Sequence, residues 1–419
     1  MLRSVASVPE RPLRNAGADA SVEDLLEFVV RSVPFHRDRA PADHLLLANW
    51  PLMTKHDLAE YSLDASDALL SRERQPGGHI VASGGTTARP KYIFYDHTEF
   101  ATLVGNLARH FIANGLESGD SVVNYFSSGD MWSSFVMVDN ILSTLPVTVI
   151  PLGCTSRIDY SLEVLEQFSP NVIVGIPSMI LDLARYCATH RRKPIRIDKV
   201  FYAGEQMFPV MMDELAATWG TRHVRSAGYA STDIGSIGWQ CVHCDTDEHY
   251  AFDDVVLEII HEELVVTPLS RRAMPMIRYC TGDRGCWVDS TCDCASGAPR
   301  FKLLGRLDNV VLIWACRILY DEIVSALQGL NPGVSAVQLH VYAVGREHFL
   351  RVDFEVPHDT QSVSEGQLRD RIYERCGDLA DSVPRDVLER QLLFEAVPVG
   401  SLERNPRTGK LRPIVDLRS

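Results

Sequence analysis

The chain has 419 residues, 46% of them apolar and 23% charged, a composition typical of a globular protein with a sizeable core. Its formal net charge of −14 argues against non-specific nucleic-acid binding, which requires a surplus of Lys and Arg. No run of about 18 apolar residues occurs and the N-terminus lacks the apolar core of a signal peptide, so we expect a cytoplasmic protein that does not interact with membranes. Its ten cysteines are then expected to be thiols or metal ligands.

Strand-like and helical patterns alternate through the first half of the chain. Strands are predicted at 79–83, 91–96, 120–126, 147–153, 171–178 and 199–205, and helices at 22–32, 99–116, 131–145 and 178–190. Thr98 is the predicted N-cap of the helix that begins at residue 99. Because apolar strands alternate with helices, we expect βαβ units and a mostly parallel sheet, with strands 120–126 and 147–153 buried.

Beyond residue 240 the pattern changes. Residues 255–270 predict an antiparallel hairpin with its turn near His261. The C-terminal stretch predicts strands at 334–344, 348–356 and 391–397 and a helix at 366–376. We therefore expect an α/β fold with a large N-terminal domain (1–307) of mixed, mostly parallel sheets and a small α+β C-terminal domain (308–419).

The sequence SGGTTARPK (83–91) combines glycines, hydroxyl side chains and cations in one short loop. A glycine-rich turn exposes backbone N–H groups, and such concavities bind phosphate. Thr86 and Thr87 would add hydroxyl donors, and Arg89 and Lys91 would add charge. No Gly-Lys-Ser or Gly-Lys-Thr sequence opens a helix here, so the loop is not the P-loop of nucleotide hydrolases. On its own, the stretch is equally compatible with a polar hairpin turn that carries incidental cations.

Four later stretches follow this loop in a set order: GYASTD (228–233), YCTGD (279–283), GRLDNVVLIWACRILYDEI (305–323) and NPRTGKLR (405–412). With the loop, they resemble the adenylate-forming enzymes, which include acyl-CoA synthetases, firefly luciferase and the adenylation domains of peptide synthetases. The phenylacetate–CoA ligase-like branch of that superfamily is resembled by PLMTKHDL (51–58), RRAMPMIRYCTGD (271–283) and TCDC (291–294). The resemblance covers residues 50–419.

The resemblance implies an enzyme that uses ATP and Mg²⁺ to convert a carboxylic acid into an acyl-adenylate, with release of pyrophosphate. The acyl group then passes to a thiol, either CoA or the phosphopantetheine of an acyl carrier protein. Such chemistry depends on charge neutralisation and positioning more than on acid–base catalysis. It also implies that residues 308–419 form a mobile lid that turns about a hinge near Asp308 between the two steps.

The resemblance assigns roles to residues along the whole chain. The phosphate loop would use Ser83, Gly85, Thr86, Thr87 and Lys91, and the adenine would lie among Gly204, Glu205, Gly228 and Tyr229, with Tyr229 stacked on the base. Asp283 would accept both ribose hydroxyls, and Arg306 would lie at the ribose or phosphates. Thr232 would contact the α-phosphate, Asp233 would direct Mg²⁺, and Lys410 would bridge the acid and the α-phosphate.

The resemblance implies an acid pocket with a flat apolar wall made by Trp132, Phe135 and Tyr202. Such a wall favours an aromatic or heteroaromatic acid over a long alkyl chain. The sequence does not specify the ring substituents or the pathway, although a short chain with altered motifs suits secondary metabolism.

The chain departs from the family at several motif positions. Asp233 stands where the family usually has Glu, so the metal would shift or bind through water. Ala88 and Arg89 replace a glycine and a lysine of the loop. Ala315 replaces a glycine that lines the pantetheine passage in CoA-using relatives, and its methyl group counts against CoA. The first half-reaction is therefore better supported than the second.

Six of the cysteines lie between residues 241 and 294. Some members of the branch carry a structural zinc on an early Cys, a following His and a later Cys-x-Cys, which here would be Cys241, His249, Cys292 and Cys294. The His lies one residue further along than expected, so Cys244 competes with it. The other interpretation is a set of reduced thiols.

Two alternatives to a thiol ligase stay open at this stage. The adenylate could pass to another acceptor, such as an amine or a reductase partner, or the chain could be a non-catalytic nucleotide-binding protein. The second is disfavoured because Asp233, Asp283 and Lys410 are all present. Expected partners are a small carboxylic acid and, for one acceptor, an acyl carrier protein; a homodimer is allowed for.

Overall fold

The structure, a computed structural model, describes residues 18–83, 90–154, 156–245, 247–289, 292, 294, 297–345, 347–356, 363–405 and 408–418. Its helices are α1 (Ala18–Ser32), α2 (Pro34–Arg37), α3 (Lys55–Glu60), α4 (His97–Ala113), α5 (Ser133–Ser143), α6 (Ile158–Phe168), α7 (Pro177–His190), α8 (Pro209–Trp219), α9 (Tyr320–Leu330), α10 (Glu365–Arg375), α11 (Gly377–Ser382) and α12 (Arg385–Gln391). Its strands are β1 (His79–Ala82), β2 (Tyr92–Tyr95), β3 (Ser121–Tyr125), β4 (Thr148–Ile150), β5 (Val172–Gly175), β6 (Lys199–Tyr202), β7 (His223–Ser226), β8 (Tyr229–Ser231), β9 (Gly235–Trp239), β10 (Glu248–Ala251), β11 (Val255–Ile260), β12 (Glu263–Pro268), β13 (Tyr279–Trp287), β14 (Arg300–Arg306), β15 (Val310–Ile313), β16 (Cys316–Leu319), β17 (Ala336–Val344), β18 (Glu347–Glu355), β19 (Leu392–Val397) and β20 (Ile414–Asp416). Within these ranges, no helix combines the length and the apolar character needed to cross a bilayer.

The elements form two compact units, each made from two stretches of the chain. Unit 1 combines the ranges 1–115 and 228–305, and unit 2 combines 116–227 with 306–419. This division differs from the predicted domains, because the region 116–227 groups with the C-terminal region. The chain enters the last stretch of unit 2 at Arg306, and a hinge near Asp308 stays a prediction.

Unit 1 contains a seven-stranded sheet in the order β11-β12-β13-β14-β10-β9-β8. The predicted hairpin at 255–270 is confirmed as β11 and β12, with His261 and Glu262 in its turn at φ of 49° and 65°, as a type I′ turn requires. Strands β1 and β2 pair antiparallel from His79 opposite Tyr95 to Ala82 opposite Tyr92. The two predicted strands that flank the phosphate loop are therefore confirmed.

Unit 2 contains a parallel sheet in the order β4-β3-β5-β6-β7. Helices α5 to α8 connect its consecutive strands, and β5 is buried along its whole length, as is typical of a parallel strand covered on both faces. The predicted βαβ organisation is confirmed for this region. The prediction of a buried strand at 147–153 is wrong, because β4 is a short edge strand with Thr148 exposed and Val149 and Ile150 half-buried.

The C-terminal part of unit 2 has the predicted α+β character. Its sheet has the order β19-β18-β17-β20, in which β17 and β18 are antiparallel and the outer pairs are parallel. One cluster of buried apolar side chains includes members of both sheets of unit 2, among them Val123, Ile173, Val337 and Leu339. The α/β fold class is therefore confirmed.

Helix α4 is capped by Asp96, so the predicted cap at Thr98 is wrong. The Asp96 carboxylate accepts the Glu99 N–H at 2.8 Å, and the Glu99 carboxylate accepts the Asp96 N–H at 3.3 Å. This reciprocal capping box satisfies two N–H groups at once. Thr98 lies within the first turn and is exposed.

Replacing the cap should therefore cost stability. We expect Asp96→Ala to lower the free energy of unfolding by about 1 kcal/mol, because a first-turn N–H loses its acceptor. Urea denaturation followed by circular dichroism measures this, with Thr98→Ala as the matched control that should leave the midpoint unchanged. Equal losses in the two variants would contradict the assignment.

Candidate active site

The predicted phosphate loop is closed at its base in unit 1. The Ser83 N–H donates to the Lys91 carbonyl at 2.8 Å and so extends the β1–β2 ladder by one pair. Ser83 is buried and Lys91 is half-buried. Gly85, Thr86 and Thr87 lie outside the described residues, and their phosphate contacts stay predictions.

Asp233 is fixed by two donors on one of its oxygens. Lys91 Nζ lies 2.6 Å from Asp233 Oδ2, and the Tyr279 hydroxyl donates to the same oxygen at 2.7 Å. Asp233 Oδ1 is buried and has no hydrogen-bond partner among the described residues. The Tyr95 hydroxyl donates to the Thr232 carbonyl at 2.8 Å, and burial raises the pKa of Tyr95 to about 12, so this donor keeps its proton at neutral pH.

The predicted adenine and ribose residues of unit 1 are neighbours. The Tyr229 hydroxyl donates to Asp283 Oδ2 at 2.6 Å, and the Tyr229 ring lies edge-on to Phe301 at 5.9 Å. Gly228 has φ of 104°, and a Cβ there would meet Leu107 Cδ2 at 3.0 Å, so the position suits glycine alone. The Tyr229 ring is thereby held beside the Asp283 carboxylate.

A buried ion pair that the sequence analysis missed supports these residues. Arg271 Nε lies 3.5 Å from Glu99 Oε2, with the two side chains 3% and 2% exposed. Glu99 also accepts the Ala273 N–H at 2.6 Å, and the Arg271 guanidinium lies 3.8 Å from the Tyr95 ring centroid. The pair thus fixes the backbone at Ala273 and the ring of Tyr95, whose hydroxyl donates to the Thr232 carbonyl. The only sequence signal for Glu99 was its place in a capping box.

Lys410 lies at the predicted acid wall in unit 2. Its Nζ is 5.1 Å from the Trp132 ring centroid. A Cβ at Gly204, which has φ of 89°, would lie 2.7 Å from Lys410 Cε and 2.8 Å from Nζ. Only glycine therefore leaves room for this lysine, and the structure brings together three predicted residues that are far apart in sequence.

Glu205 and Arg306 make protein contacts that the resemblance did not indicate. Glu205 Oε1 accepts the Leu411 N–H at 2.6 Å, and its Oε2 accepts the Ser178 N–H at 3.2 Å. The predicted adenine residue thus holds the backbone next to Lys410. The Arg306 guanidinium bonds both oxygens of Asp308 at 2.7 and 2.8 Å. Contacts of these two residues with nucleotide stay predictions.

The other acid-wall residues come from separate elements of unit 2. Trp132 and Tyr202 are each 6% exposed, and Phe135 is half-buried in the first turn of α5. Trp132 follows Asp130 and Met131, whose φ values of 48° and 58° are left-handed. Non-glycine residues there cost about 1–3 kcal/mol each and cluster at functional sites, so the strained turn supports a functional role for Trp132.

Comparison with models of known protein families finds no match. The phenylacetate–coenzyme A ligase of Thermus thermophilus is 23% identical to this chain, over 98% of each protein. The indoleacetate–lysine synthetase of Pseudomonas savastanoi is 24% identical over 49% of this chain and 52% of its own.

Solved structures share the fold. A 2-hydroxyisobutyryl-CoA ligase in the postadenylation state with 2-HIB-AMP aligns with a TM-score of 0.75 and 18% identity, covering 97% of this chain and 90% of that one. The same ligase with 2-HIB-AMP and CoA in the thioesterification state aligns with a TM-score of 0.63 over 96% and 89%. The motifs that resemble the adenylate-forming enzymes are thus accompanied by similarity to phenylacetate–CoA ligase over the full length of the chain and by a fold shared with a CoA ligase.

Ala315 occupies a strained turn. It joins β15 to β16 in a two-residue loop with Trp314, and their φ values are 60° and 53°. That geometry is a type I′ turn, which favours Asn-Gly because both residues need positive φ. Trp314 Nε1 donates to the His348 carbonyl at 3.0 Å and to Gln391 Oε1 at 2.7 Å, which holds the turn in place.

Several cysteine thiols cluster in unit 1. The Sγ atoms of Cys241, Cys244 and Cys292 all lie within 4.8 Å of one another, with Cys241 Sγ at 3.6 and 3.5 Å from the other two. Cys294 is within hydrogen-bonding reach of Cys241 and Cys292, and its thiol donates to the Tyr250 hydroxyl at 3.2 Å. Three sulfur atoms therefore share one site, and Cys294 lies next to it.

His249, a predicted ligand, does not belong to this thiol group. It precedes Tyr250 in β10, and consecutive side chains of a strand point to opposite faces. Tyr250 packs with the cysteines, whereas the His249 ring stacks on Phe301 at 5.8 Å. Burial lowers the pKa of His249 to about 3, so it stays neutral. Cys244, the competing candidate, takes its place beside Cys241.

Ala315→Gly should stabilise the protein. Glycine removes the left-handed strain at φ of 60°, so we expect the free energy of unfolding to rise by about 1 kcal/mol in denaturant titrations. Ala343→Gly is the control, because that exposed alanine lies in β17 and glycine weakens a strand. A loss of stability in Ala315→Gly would contradict the strained turn.

Proposed function

We propose that the protein activates a carboxylic acid with ATP and transfers the acyl group to the thiol of CoA. The position of Lys410, with its ammonium group over Trp132 and beside Gly204, supports this most directly. A cation there can neutralise charge as the acid meets the α-phosphate. A carboxylate oxygen attacks the α-phosphorus and the bond to pyrophosphate breaks. The thiol sulfur then attacks the acyl carbon and the bond to AMP breaks.

Asp233 suits a role as a Mg²⁺ ligand. Mg²⁺ takes oxygen ligands from one or two carboxylates and from substrate phosphates, where it supplies charge neutralisation. Asp233 Oδ1 is buried without a hydrogen-bond partner among the described residues, while Oδ2 accepts from Lys91 and Tyr279. Asp233 would hold the cation through Oδ1, with the carboxylate orientation fixed from the other side.

The acid is proposed to be aromatic or heteroaromatic. Trp132 and Tyr202 are almost fully buried and Phe135 is half-buried, so a flat ring would find aromatic side chains around it. The phenylacetate and indoleacetate enzymes similar to this chain bear names of aryl acids, which supports the same class.

A second acceptor is favoured by two observations. Ala315 places a methyl group at the turn where the family usually has glycine, and that glycine lines the pantetheine passage in CoA-using relatives. The indoleacetate–lysine synthetase of Pseudomonas savastanoi, which is similar over 49% of this chain, is named for joining indoleacetate to lysine. Transfer of the acyl group to an amine is therefore the alternative, and the first half-reaction is common to both.

The region from Asp308 to the C-terminus is proposed to act as a lid. Lys410 must be present during adenylation, while a thiol needs an open path to the acyl carbon. The connector at Arg306 to Asp308, where the chain passes from unit 1 to unit 2, is short enough to serve as the hinge.

The cluster of cysteine thiols is proposed to hold a structural zinc through Cys241, Cys244, Cys292 and Cys294. Sulfur atoms around a tetrahedral zinc stand about 3.8 Å apart for Zn–S bonds of about 2.3 Å, and the separations of 3.5 and 3.6 Å are close to this. Four protein ligands leave no open position, so the zinc would stabilise the fold.

Zinc analysis tests this ligand set. Protein purified without chelator should contain about one zinc per chain, and Cys244→Ser should lower both zinc content and melting temperature. Cys286→Ser is the matched control, because Cys286 is exposed in the same region. His249→Gln should keep its zinc. Zinc lost from His249→Gln but kept in Cys244→Ser would restore the original ligand set.

Lys410→Ala tests adenylation itself. Loss of the ammonium group should slow acid-dependent pyrophosphate release by about 100-fold or more, because its charge acts mainly in the transition state. The KM for ATP should change little. Arg412→Ala is the control, since Arg412 is engaged in an exposed ion pair with Glu403. An unchanged rate in Lys410→Ala would exclude the proposed role, and a panel of acids assayed with and without CoA or lysine identifies the acceptor.

A further inference from the structure

Lys410 is carried by a closed turn, residues 404–411, here called the lysine loop; residues 406 and 407 lie outside the described residues. At its base, Arg404 and Leu411 form an isolated antiparallel bridge. Within it, the Asn405 N–H donates to the Lys410 carbonyl and the Gly409 N–H to the Asn405 carbonyl, both at 2.8 Å. Whatever fixes the base of this loop therefore fixes Lys410.

Arg404 joins the loop base to helix α7. Its Nη2 donates to Asp182 Oδ2 at 3.0 Å, and its Nη1 donates to Ser178 Oγ and, at 3.3 Å, to the Gly409 carbonyl. Ser178 and Asp182 are four residues apart and so share one face of α7. The Arg404 and Asp182 side chains are 21% and 28% exposed, so their charges are partly shielded from water. One guanidinium thus bonds both the helix and the residue that precedes Lys410.

Glu205 makes a second connection at the other side of the base. It accepts the Leu411 N–H at 2.6 Å and the Ser178 N–H at 3.2 Å. Both sides of the lysine loop are therefore held at the first turns of α7. Of the two connections, the one through Arg404 is an ion pair between side chains, which can break without exposing buried backbone groups.

We propose that Arg404 is a positioning residue whose ion pair with Asp182 latches the lysine loop where Lys410 serves adenylation. The latch opens when the lid turns for acyl transfer. This rests on the proposed function, because only an enzyme with two lid positions needs a latch. Asp182 lies among acids, with Glu205 and Glu214 nearby, and burial raises its pKa. Two arginines lie beside Asp182: Arg185 of the same helix, 3.9 Å from Oδ1, and Arg404 of the lysine loop, 3.0 Å from Oδ2, so Arg404 is the one that joins the loop to this acidic face.

The two half-reactions test the latch separately. Arg404→Ala should lower kcat for acid-dependent pyrophosphate release by about 10- to 100-fold, because a misplaced catalytic group costs that much, while the KM for ATP stays near wild type. Conversion of preformed acyl-adenylate and CoA to thioester should keep its rate. Arg404→Lys should recover part of the first rate.

The partner of Arg404 gives a second test. Asp182→Ala should resemble Arg404→Ala, and the double variant should be no slower than either single variant. Equal loss in both half-reactions would indicate general structural damage and overturn the latch.

A control and a second measurement keep the test decisive. Glu117→Gln removes the Lys199–Glu117 pair, a 2.7 Å ion pair of unit 2 that does not involve α7 or the lysine loop, and should leave both half-reactions unchanged. Amide hydrogen exchange at Gly409 and Leu411 is measured without substrate and should become faster in Arg404→Ala. This holds even if the wild-type protein adenylates no acid in the panel, which would refute the proposed function alone. Unchanged exchange would overturn the latch.

Discussion

The ammonium group of Lys410 has to reach the carboxyl end of a parallel sheet whose strands come much earlier in the sequence. Lys410 meets this constraint through Gly204, whose missing side chain leaves space for its Cε and Nζ, and through polar contacts on either side of its loop. Polar contacts define a position sharply and, when partly exposed, break at modest cost. They suit the proposed function, in which the loop is placed for adenylation and turns away for acyl transfer, better than a buried apolar contact would.

The topology of unit 2 explains why the contact residues converge. In a parallel sheet, the carboxyl ends of all strands lie along one edge, and ligands bind in the crevice there. Trp132 follows β3, Ser178 follows β5, and Glu205 follows β6. Since β3, β5 and β6 are consecutive in the sheet, their following turns are neighbours. The aromatic wall and the anchors of the lysine loop are therefore products of the same strand order.

Local patterns predicted most of the elements, and non-local pairing explains most of the misses. Runs such as VIVG in β5 and the turn at His261 carry their own signal. The face of His249 depends on which of two consecutive residues points to the cysteines, and that parity is set by pairing with β9 and β14. The N-cap of α4 could have been assigned to Asp96 from the sequence, because Glu99 lies three residues after Asp96 and completes a capping box with it but not with Thr98.

Asp233 and Tyr279 show how motif residues can take on supporting roles that the motif does not specify. The ion pair between Glu99 and Arg271, and the bond from Tyr279 to Asp233, join segments far apart in sequence, so no local pattern could indicate them. The motif positions of Asp233, Arg271 and Tyr279 predicted that these residues matter without predicting the partner of each.

The turn at Trp314 and Ala315 links the fold to the choice of acceptor in the proposed function. A left-handed alanine is strained, but the indole N–H of Trp314 bonds both His348 and Gln391 and keeps the turn from relaxing into another conformation. Strain that is held in this way leaves the backbone as a glycine would have it and adds only a methyl group. Under the proposed function, any effect of Ala315 on acyl transfer is therefore steric. A compact amine and a long pantetheine arm would experience that methyl group differently, and for this reason the identity of one small side chain bears on the choice between the two acceptors.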